Sequence, residues 1–254
     1  NQTMSEKNTD KARRGFVAAV GAVGAVGAGL AIAPGIRLIE AAQARSPGEP
    51  ASSKVRWGML IDTNACGAAC TDCVSACATE NGINEKMANP RQGSQWIRKI
   101  DLRDSKSGRQ HSLPMMCQHC ENPPCVDVCP TGASMKRADG IVLVDRHICI
   151  GCRYCMMACP YKARSFVHQP LTEQNPEVPR GLGCVEACTF CVHRVDKGQM
   201  PACVEACAKA GHGAMIFGDL NDPNSEISRR IAQVATTQVR ADLKLNPGVR
   251  YQGI

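Results

Sequence analysis

The most closely spaced reactive side chains of the sequence are the thiols of the stretch CIGCRYCMMACP, from Cys149 to Pro160. Its four cysteines follow the spacing C-x2-C-x2-C-x3-C, and a proline follows the last of them. Disulfides need specific Cα separations and a specific dihedral angle, so thiols packed this tightly would compete with one another for partners. Zinc usually takes four thiolates from two well-separated C-x2-C pairs. The spacing is instead typical of a loop that binds an iron–sulfur cluster.

The same arrangement occurs four times along the chain. Each group contains four cysteines and ends in C-x3-C, so the groups together supply sixteen thiolates and leave Cys184 over. Sixteen thiolates are enough for four [4Fe–4S] clusters, which we expect as the cofactors. The expected metal ligands are Cys66, Cys70, Cys73, Cys77, Cys117, Cys120, Cys125, Cys129, Cys149, Cys152, Cys155, Cys159, Cys188, Cys191, Cys203 and Cys207.

An internal repeat and short apolar runs indicate how these groups are positioned. The stretch PPCVDVCPTGASM (123–135) parallels MPACVEACAKAGHGAM (200–215), with Val and an acidic residue between two cysteines in both. Strand-like runs occur at 58–62, 96–102 and 140–145. Aromatic residues make up only 4% of the chain, so its interior needs another organising centre. The sequence therefore predicts a loop-rich α+β fold arranged around clusters.

The net charge is consistent with buried anionic clusters. The formal charge is +7, and residues 1–44 hold five basic and three acidic residues, which leaves +5 for residues 45–254. A cubane with four thiolates carries about −2, so four of them would bring that part to about −3. No basic block with interleaved aromatic residues occurs, which excludes nucleic acid as an expected partner.

The N-terminal segment has the features of an export signal. Arg13 and Arg14 precede an uncharged run from Gly15 to Ile36, and Ala42-Gln43-Ala44 forms a small-x-small cleavage site. We therefore expect residues 1–44 to be a twin-arginine signal peptide and the mature protein to be periplasmic, on the outer face of the cytoplasmic membrane. The run is about long enough to span a bilayer, so a retained anchor is the alternative. The twin-arginine route exports folded proteins, so the clusters can be inserted before export.

Several motifs together resemble a known family. CIGCRYCMMACPY (149–161), CQHCENPPCVDVCP (117–130), CTFCVHR (188–194) and FGDLNDPNSEI (217–227) resemble the four-cluster ferredoxin-like iron–sulfur subunits of membrane oxidoreductases. The resemblance covers nearly all of residues 56–254. With the export signal, the sequence is most similar to the periplasmic subunit of the Dsr complex (the DsrO type), and next to the NrfC type.

The resemblance implies two nested, pseudo-symmetric ferredoxin-like halves. Residues 115–164 would form the inner half, and residues 45–114 and 165–254 would form the outer half with a C-terminal arm. That arm would pack on its own outer half or on a membrane subunit. Because the fourth cysteine of a group ligates the other cluster of its pair, the implied ligand sets are Cys117, Cys120, Cys125 and Cys159; Cys129, Cys149, Cys152 and Cys155; Cys66, Cys70, Cys73 and Cys207; and Cys77, Cys188, Cys191 and Cys203.

Other residues near the cysteines have less specific roles. Cys184 is either a buried free thiol or an alternative ligand, and Lys162 and Arg164 either steer a partner or lie on a solvated face. We expect His119 and His193 to pack beside the ligands and tune them. The methionines that flank cysteines are expected to form an apolar shell around the clusters; they are Met115, Met116, Met156 and Met157.

The sequence contains no catalytic constellation. It has no Ser/His/Asp set, no phosphate-binding glycine loop and no evident flavin or nicotinamide site. We therefore predict a non-catalytic electron-transfer subunit that relays single electrons between a polytopic quinone-interacting membrane subunit (NrfD type) and partner redox proteins. The resemblance implies sulfur- or sulfite-linked respiration, with a multihaem cytochrome c nearby. The alternatives are a periplasmic nitrite, polysulfide or tetrathionate reductase system, and a zinc-stabilised interaction module.

Overall fold

The computed structural model describes residues 45–254, except for residues 47, 84–88, 90–91 and 173. These residues form an α+β fold of short elements joined by long loops. The strands of the described part are β1 (Trp57–Asp62), β2 (Ile97–Arg103), β3 (Gln110–Met116), β4 (Ser134–Lys136), β5 (Val142–Val144), β6 (Arg164–Phe166), β7 (Val185–Ala187), β8 (Met215–Asp219) and β9 (Val249–Gln252). Its α-helices are α1 (Asp72–Glu80), α2 (Pro124–Asp127), α3 (Tyr154–Ala158), α4 (Val192–Val195), α5 (Ala202–Lys209) and α6 (Glu226–Gln233).

A three-stranded sheet joins the two ends of the described chain. Its strand order is β8-β1-β9, with β1 antiparallel to β8 and parallel to β9. Residues 59–61 of β1 are all buried, which means that both faces of this central strand are covered. On β9 the side chains of Val249 and Tyr251 alternate with more exposed ones, the period of a strand with one face against the core. The β9 part of the C-terminal arm thus pairs with its own chain, and contact of the arm with a membrane subunit stays a prediction.

Three two-stranded hairpins hold the remaining strands. They pair β2 with β3, β4 with β5, and β6 with β7, all antiparallel. The predicted strand-like runs at 58–62, 96–102 and 140–145 coincide with β1, β2 and β5, which confirms those predictions. The β4–β5 turn places Gly140 at φ +86°, a conformation that glycine adopts without steric cost. Each hairpin begins or ends within a few residues of a cysteine group and so fixes the ends of a ligand loop.

The helices are short, and two of the three longest, α1 and α5, present pairs of cysteines. On α1, Cys73 and Cys77 are four positions apart, so they lie on the same face of the helix, and both are buried. On α5, Cys203 and Cys207 have the same separation and are also buried. The two helices pack against each other, so the faces that carry these cysteines lie close together. The side chains of these four cysteines are therefore part of the buried core where α1 and α5 meet.

No helix within the described ranges is long and apolar enough to cross a membrane. The expectations for residues 1–44, including the twin-arginine motif, lie outside the described residues. The division into nested inner and outer halves stays a prediction.

Candidate metal centres

The first three cysteines of the first group are brought together with Cys207, the last cysteine of the sequence. Burial raises the pKa of the Cys73 thiol to about 11, and the nearby thiols of Cys66, Cys207 and Cys70 raise it further in that order. Burial and the Cys207 and Cys70 thiols likewise raise the pKa of Cys66, while Lys99 opposes them. These four thiols are the set implied by the resemblance for one outer cluster.

The fourth cysteine of the first group faces a different set. Burial raises the pKa of the Cys77 thiol, and the thiols of Cys188 and Cys191 contribute the next largest effects. The pKa of Cys203 is raised by burial and then by Cys191 and Cys77. Cys77 thus lies with the fourth cysteine group although its three sequence neighbours lie with Cys207. A thiol held neutral in this way becomes a ligand only when a bound metal supplies the compensating positive charge.

The second group collects its fourth thiol from the third group. Burial raises the pKa of Cys120 to about 12, and the next contributions come from Cys117, Cys125 and Cys159. Burial also raises the pKa of Cys117 to about 12, with Cys125 and Cys159 again among the thiols that raise it. Cys159, the residue before Pro160, has therefore turned away from its own loop and toward the second group.

The remaining four thiols line one cavity. The wall of this cavity contains Cys129 together with Cys149, Cys152 and Cys155. Three of these thiols belong to the third group, and Cys129 closes the second. Burial acts to raise the pKa of Cys129, but hydrogen bonds led by the Ser134 backbone N–H, 3.3 Å from Sγ, lower it overall. A thiol with a lowered pKa has more of the thiolate character that binds metal.

Backbone geometry bends the ligand loops around these thiols. The left-handed conformation occurs at Arg153 (φ 64°) and Cys191 (φ 50°), each immediately before a short helix. Gly151 has φ 71°, and a Cβ there would lie 2.3 Å from the carbonyl oxygen of Gly183. Only glycine therefore fits between Ile150 and Cys152 at this close approach of two backbones.

Two cations lie among the thiols. Lys99 on β2 donates through Nζ to the carbonyl oxygens of Gly67, Ala68 and Cys70, which fixes the first ligand loop. Arg164, at the start of β6, is 6% exposed and donates through Nη2 to Cys125 Sγ at 3.1 Å and to Ser134 Oγ at 2.8 Å. The expectation that Arg164 steers a partner or lies on a solvated face is therefore wrong, because its guanidinium is buried among thiols.

His119 lies beside the ligands, as expected. Its ring stacks on Phe190 with centroids 3.6 Å apart, and its Nδ1 accepts a hydrogen bond from the Val142 N–H. Burial, followed by the nearby charge of Arg164, lowers the pKa of His119 to about 3. The ring is therefore neutral, and its other nitrogen, Nε2, is buried with no hydrogen-bond partner among the described residues. The sulfides of an iron–sulfur cluster accept such hydrogen bonds, so this orphaned donor fits the expected cofactor.

The outcome differs for the other residues near the thiols. The Cys184 thiol is buried and donates to the Arg146 carbonyl oxygen at 3.2 Å, in agreement with a buried free thiol. His193 bonds to Glu80 at 2.7 Å. Met115 and Met116 are buried, whereas Met157 is 66% exposed, so the prediction that it packs against a cluster is wrong.

Four exposed apolar residues lie in or next to the third cysteine loop, and one of them, Ile150, lines the cavity shared by Cys129 and Cys152. Cys152 is itself exposed, and Ile150 and Tyr154 on either side of it are 68% and 55% exposed. We call this surface the apolar rim; its members are Ile148, Ile150, Tyr154 and Met157, all in or next to the third cysteine loop. Sequence reasoning missed the rim because the alternation of cysteine and apolar residues does not say which apolar residues face outward.

The arrangement of the thiols defines a protein that binds iron–sulfur clusters. All seventeen cysteines lie in the described residues and none forms a disulfide. Within these residues, no group of three or more His, Cys, Asp and Glu side chains converges as it would on a single metal ion.

Comparison with known proteins identifies the family. A family model described as a 4Fe–4S dicluster domain matches residues 109–220. The chain is 45% identical over 230 residues to the Hdr-like menaquinol oxidoreductase iron–sulfur subunit 1 of Archaeoglobus fulgidus, covering 80% of this chain and 85% of that protein. It is 35% identical over 262 residues to a tetrathionate reductase subunit of Salmonella typhimurium, covering 97% and 90%. It is 38% identical over 195 residues to Protein NrfC of Escherichia coli, covering 76% and 78%. The chain therefore belongs to the family of 4Fe–4S iron–sulfur subunits of oxidoreductases.

Proposed function

We propose that the protein relays single electrons along four [4Fe–4S] clusters within an oxidoreductase complex. The clusters supply the one-electron chemistry, and the chain supplies their ligands, their spacing and their surroundings. The sixteen cysteines predicted from the sequence would act as ligands in the four crossed sets. The clearest support is the cavity that joins Cys129 to Cys149, Cys152 and Cys155, because thiols from two sequence groups share its wall.

The apolar rim supports a terminal position for the cluster at this cavity. Most of the ligand thiols of the other three sets are buried, and buried clusters exchange electrons slowly with proteins outside. Cys152 is exposed, so a partner that covers the rim would bring its redox centre close to this cluster. The rim is apolar, like the fully buried centre of a stable protein–protein interface. We therefore propose that a protein surface of similar apolar character binds here.

The partner that best fits this surface is a quinone-interacting membrane subunit of the NrfD type. One relative is named as part of a menaquinol oxidoreductase, which is consistent with exchange of electrons with a quinone pool. A multihaem cytochrome c would complete the relay in the Dsr-like, sulfur-linked interpretation. The relatives include a tetrathionate reductase subunit and a selenate reductase subunit, which are named for different substrates. Electron relay is therefore the part of the function that we propose here for this chain, whatever the terminal substrate.

We propose further that the relay operates on the periplasmic side, after export of the folded, cluster-loaded chain. The support is the sequence from Arg13 to Ala44, with its arginine pair, uncharged run and cleavage site. The cytoplasm is also the compartment in which free thiols persist until clusters are inserted.

Metal analysis combined with electron exchange tests the proposal. Anaerobically purified protein should contain about sixteen iron and sixteen acid-labile sulfide per chain. In gently solubilised membranes, its clusters should be reduced by a menaquinol analogue or should reduce an added oxidised quinone. Zinc without sulfide would refute the cofactor assignment. Four intact clusters that exchange electrons with neither quinol nor quinone would refute the relay to a quinone-linked subunit.

A further inference from the structure

The guanidinium of Arg164 connects the second and third cysteine groups. Its backbone follows the third group, at the first residue of β6, while its Nη2 donates to Cys125 Sγ in the second group. The same nitrogen donates to Ser134 Oγ, and the Ser134 N–H in turn donates to Cys129 Sγ. One side chain thus contacts the Cys117 set through Cys125, and the cavity set both through Ser134 and through a hydrogen-bonding interaction with Cys155.

The electrostatic effect of Arg164 extends to both sets. Besides the dominant burial effect, its charge acts to lower the pKa values of Cys117 and Cys125, in the set completed by Cys159. It acts in the same direction on the pKa of Cys155, in the set completed by Cys129. Arginine stays protonated at every pH at which proteins are folded, so this positive charge is permanent.

The burial of this charge needs an anion, and no carboxylate supplies it. Within the described residues, no Asp or Glu oxygen lies within 4 Å of the Arg164 guanidinium, and its Nη1 is buried without a hydrogen-bond partner. Arg180 provides the contrast, since that buried guanidinium bonds to both carboxylate oxygens of Glu186 at 2.9 and 2.7 Å. Buried charges in proteins are normally paired. The anions available to Arg164 are the thiolates of the two sets and whatever those thiolates bind.

We propose that Arg164 is a shared positioning residue that raises the reduction potentials of the two inner clusters together, where the inner clusters are those of the Cys117 and the cavity sets. This inference rests on the proposed function. Accepting one electron takes a four-thiolate cluster from about −2 to about −3. A fixed neighbouring cation stabilises the more negative state, and hydrogen bonds to the ligand sulfurs act in the same direction. Because one charge serves both clusters, its removal should shift both reduction potentials in the same direction.

The test is a potentiometric titration of the loaded full-length protein, followed by electron paramagnetic resonance. In Arg164→Gln, the midpoint potentials of both inner clusters should fall, and those of the two outer clusters should stay at their wild-type values. Lys99→Met is the matched control, because the hydrogen bonds of the Lys99 ammonium go to the loop of the Cys66 set. It should lower the potential of that outer cluster and leave the inner pair unchanged.

A shift confined to one inner cluster, an equal shift of all four, or no shift would overturn the inference. If Arg164→Gln loses iron, Arg164→Lys decides: with four clusters loaded, both inner potentials should lie below wild type, because the shorter lysine side chain holds its charge farther from the sulfurs and lacks the second arm of the guanidinium. Unchanged inner potentials in that variant would overturn the inference. A wild-type protein without four reducible clusters would instead refute the proposed function, so the two failures are distinguishable.

Discussion

Cys129 and Cys152 come from different sequence groups and line the same cavity. Cys129 reaches it because the chain turns after α2, and the Ser134 N–H and Thr131 hydroxyl contact its sulfur there. Its own group neighbours Cys117, Cys120 and Cys125 lie instead with Cys159. In the proposed ligand sets the two inner clusters would therefore be interlocked, since each would take one ligand from the loop that mainly serves the other.

Replacing Cys129 with serine should damage the cluster of the cavity set and spare the cluster of the Cys117 set. The reason is that Cys129 lines the cavity with Cys149, Cys152 and Cys155. Electron paramagnetic resonance during a potential titration should show the loss or conversion of one signal. Cys184→Ser is the control and should retain all four signals, because the Cys184 thiol donates to a backbone carbonyl instead. Loss of the Cys117-set signal alone would contradict the crossing.

Placing a charge on the apolar rim should detach the protein from its membrane partner without loss of iron. Ile150→Glu and Met157→Glu each put a carboxylate at the proposed contact, where burying an unpaired charge is costly. We expect association to weaken by about tenfold or more for a central contact. The measurement is the fraction that co-purifies with gently solubilised membranes.

Leu243→Glu is the matched control for the rim, because Leu243 is also exposed but lies in the 3₁₀ turn 241–243, outside the third cysteine loop. It should leave association unchanged. Equal retention of the rim variants and wild type would remove the rim as the docking surface.

Shortening Tyr251 should destabilise the whole fold. Its ring is fully buried, its hydroxyl donates to the Pro114 carbonyl oxygen at 3.0 Å, and it accepts from Gln118 Nε2 at 3.2 Å. Tyr251→Phe leaves these partners unsatisfied and should cost about 1–3 kcal/mol. Tyr251→Ala also leaves a cavity and should cost about 3–5 kcal/mol. Denaturant unfolding of the loaded protein measures both, and a phenylalanine variant as unstable as the alanine variant would contradict this order.

Replacing both Arg13 and Arg14 with lysine should leave the protein in the cytoplasm. The arginine pair is the expected signal for export of a folded chain, and the lysine substitutions keep the positive charge but remove the twin-arginine motif. Cell fractionation with an assay for iron measures the result. Undiminished export of the double variant would show that the segment does not act as a twin-arginine signal.

Cysteine spacing made much of the site predictable, because cluster ligands come in short, recognisable loops. The strands β1, β2 and β5 were also predictable from local apolar runs. The role of β9 could not be predicted from the sequence. Val249 and Tyr251 are two buried residues in a polar stretch, and only their long-range pairing with β1 shows that they belong to the core. The burial of Arg164 was hidden for a similar reason, since its thiol partner Cys125 is distant in sequence.

The position of β1 between β8 and β9 imposes an order on biosynthesis. The first strand of the described chain pairs with β9, so the sheet cannot close until the residues of β9 have left the ribosome. The second and third cysteine groups lie between these strands and can come together while synthesis continues. The first group must wait for Cys207, and its sheet must wait for Val249. A chain truncated before β9 would thus leave one edge of the buried strand β1 without its parallel partner.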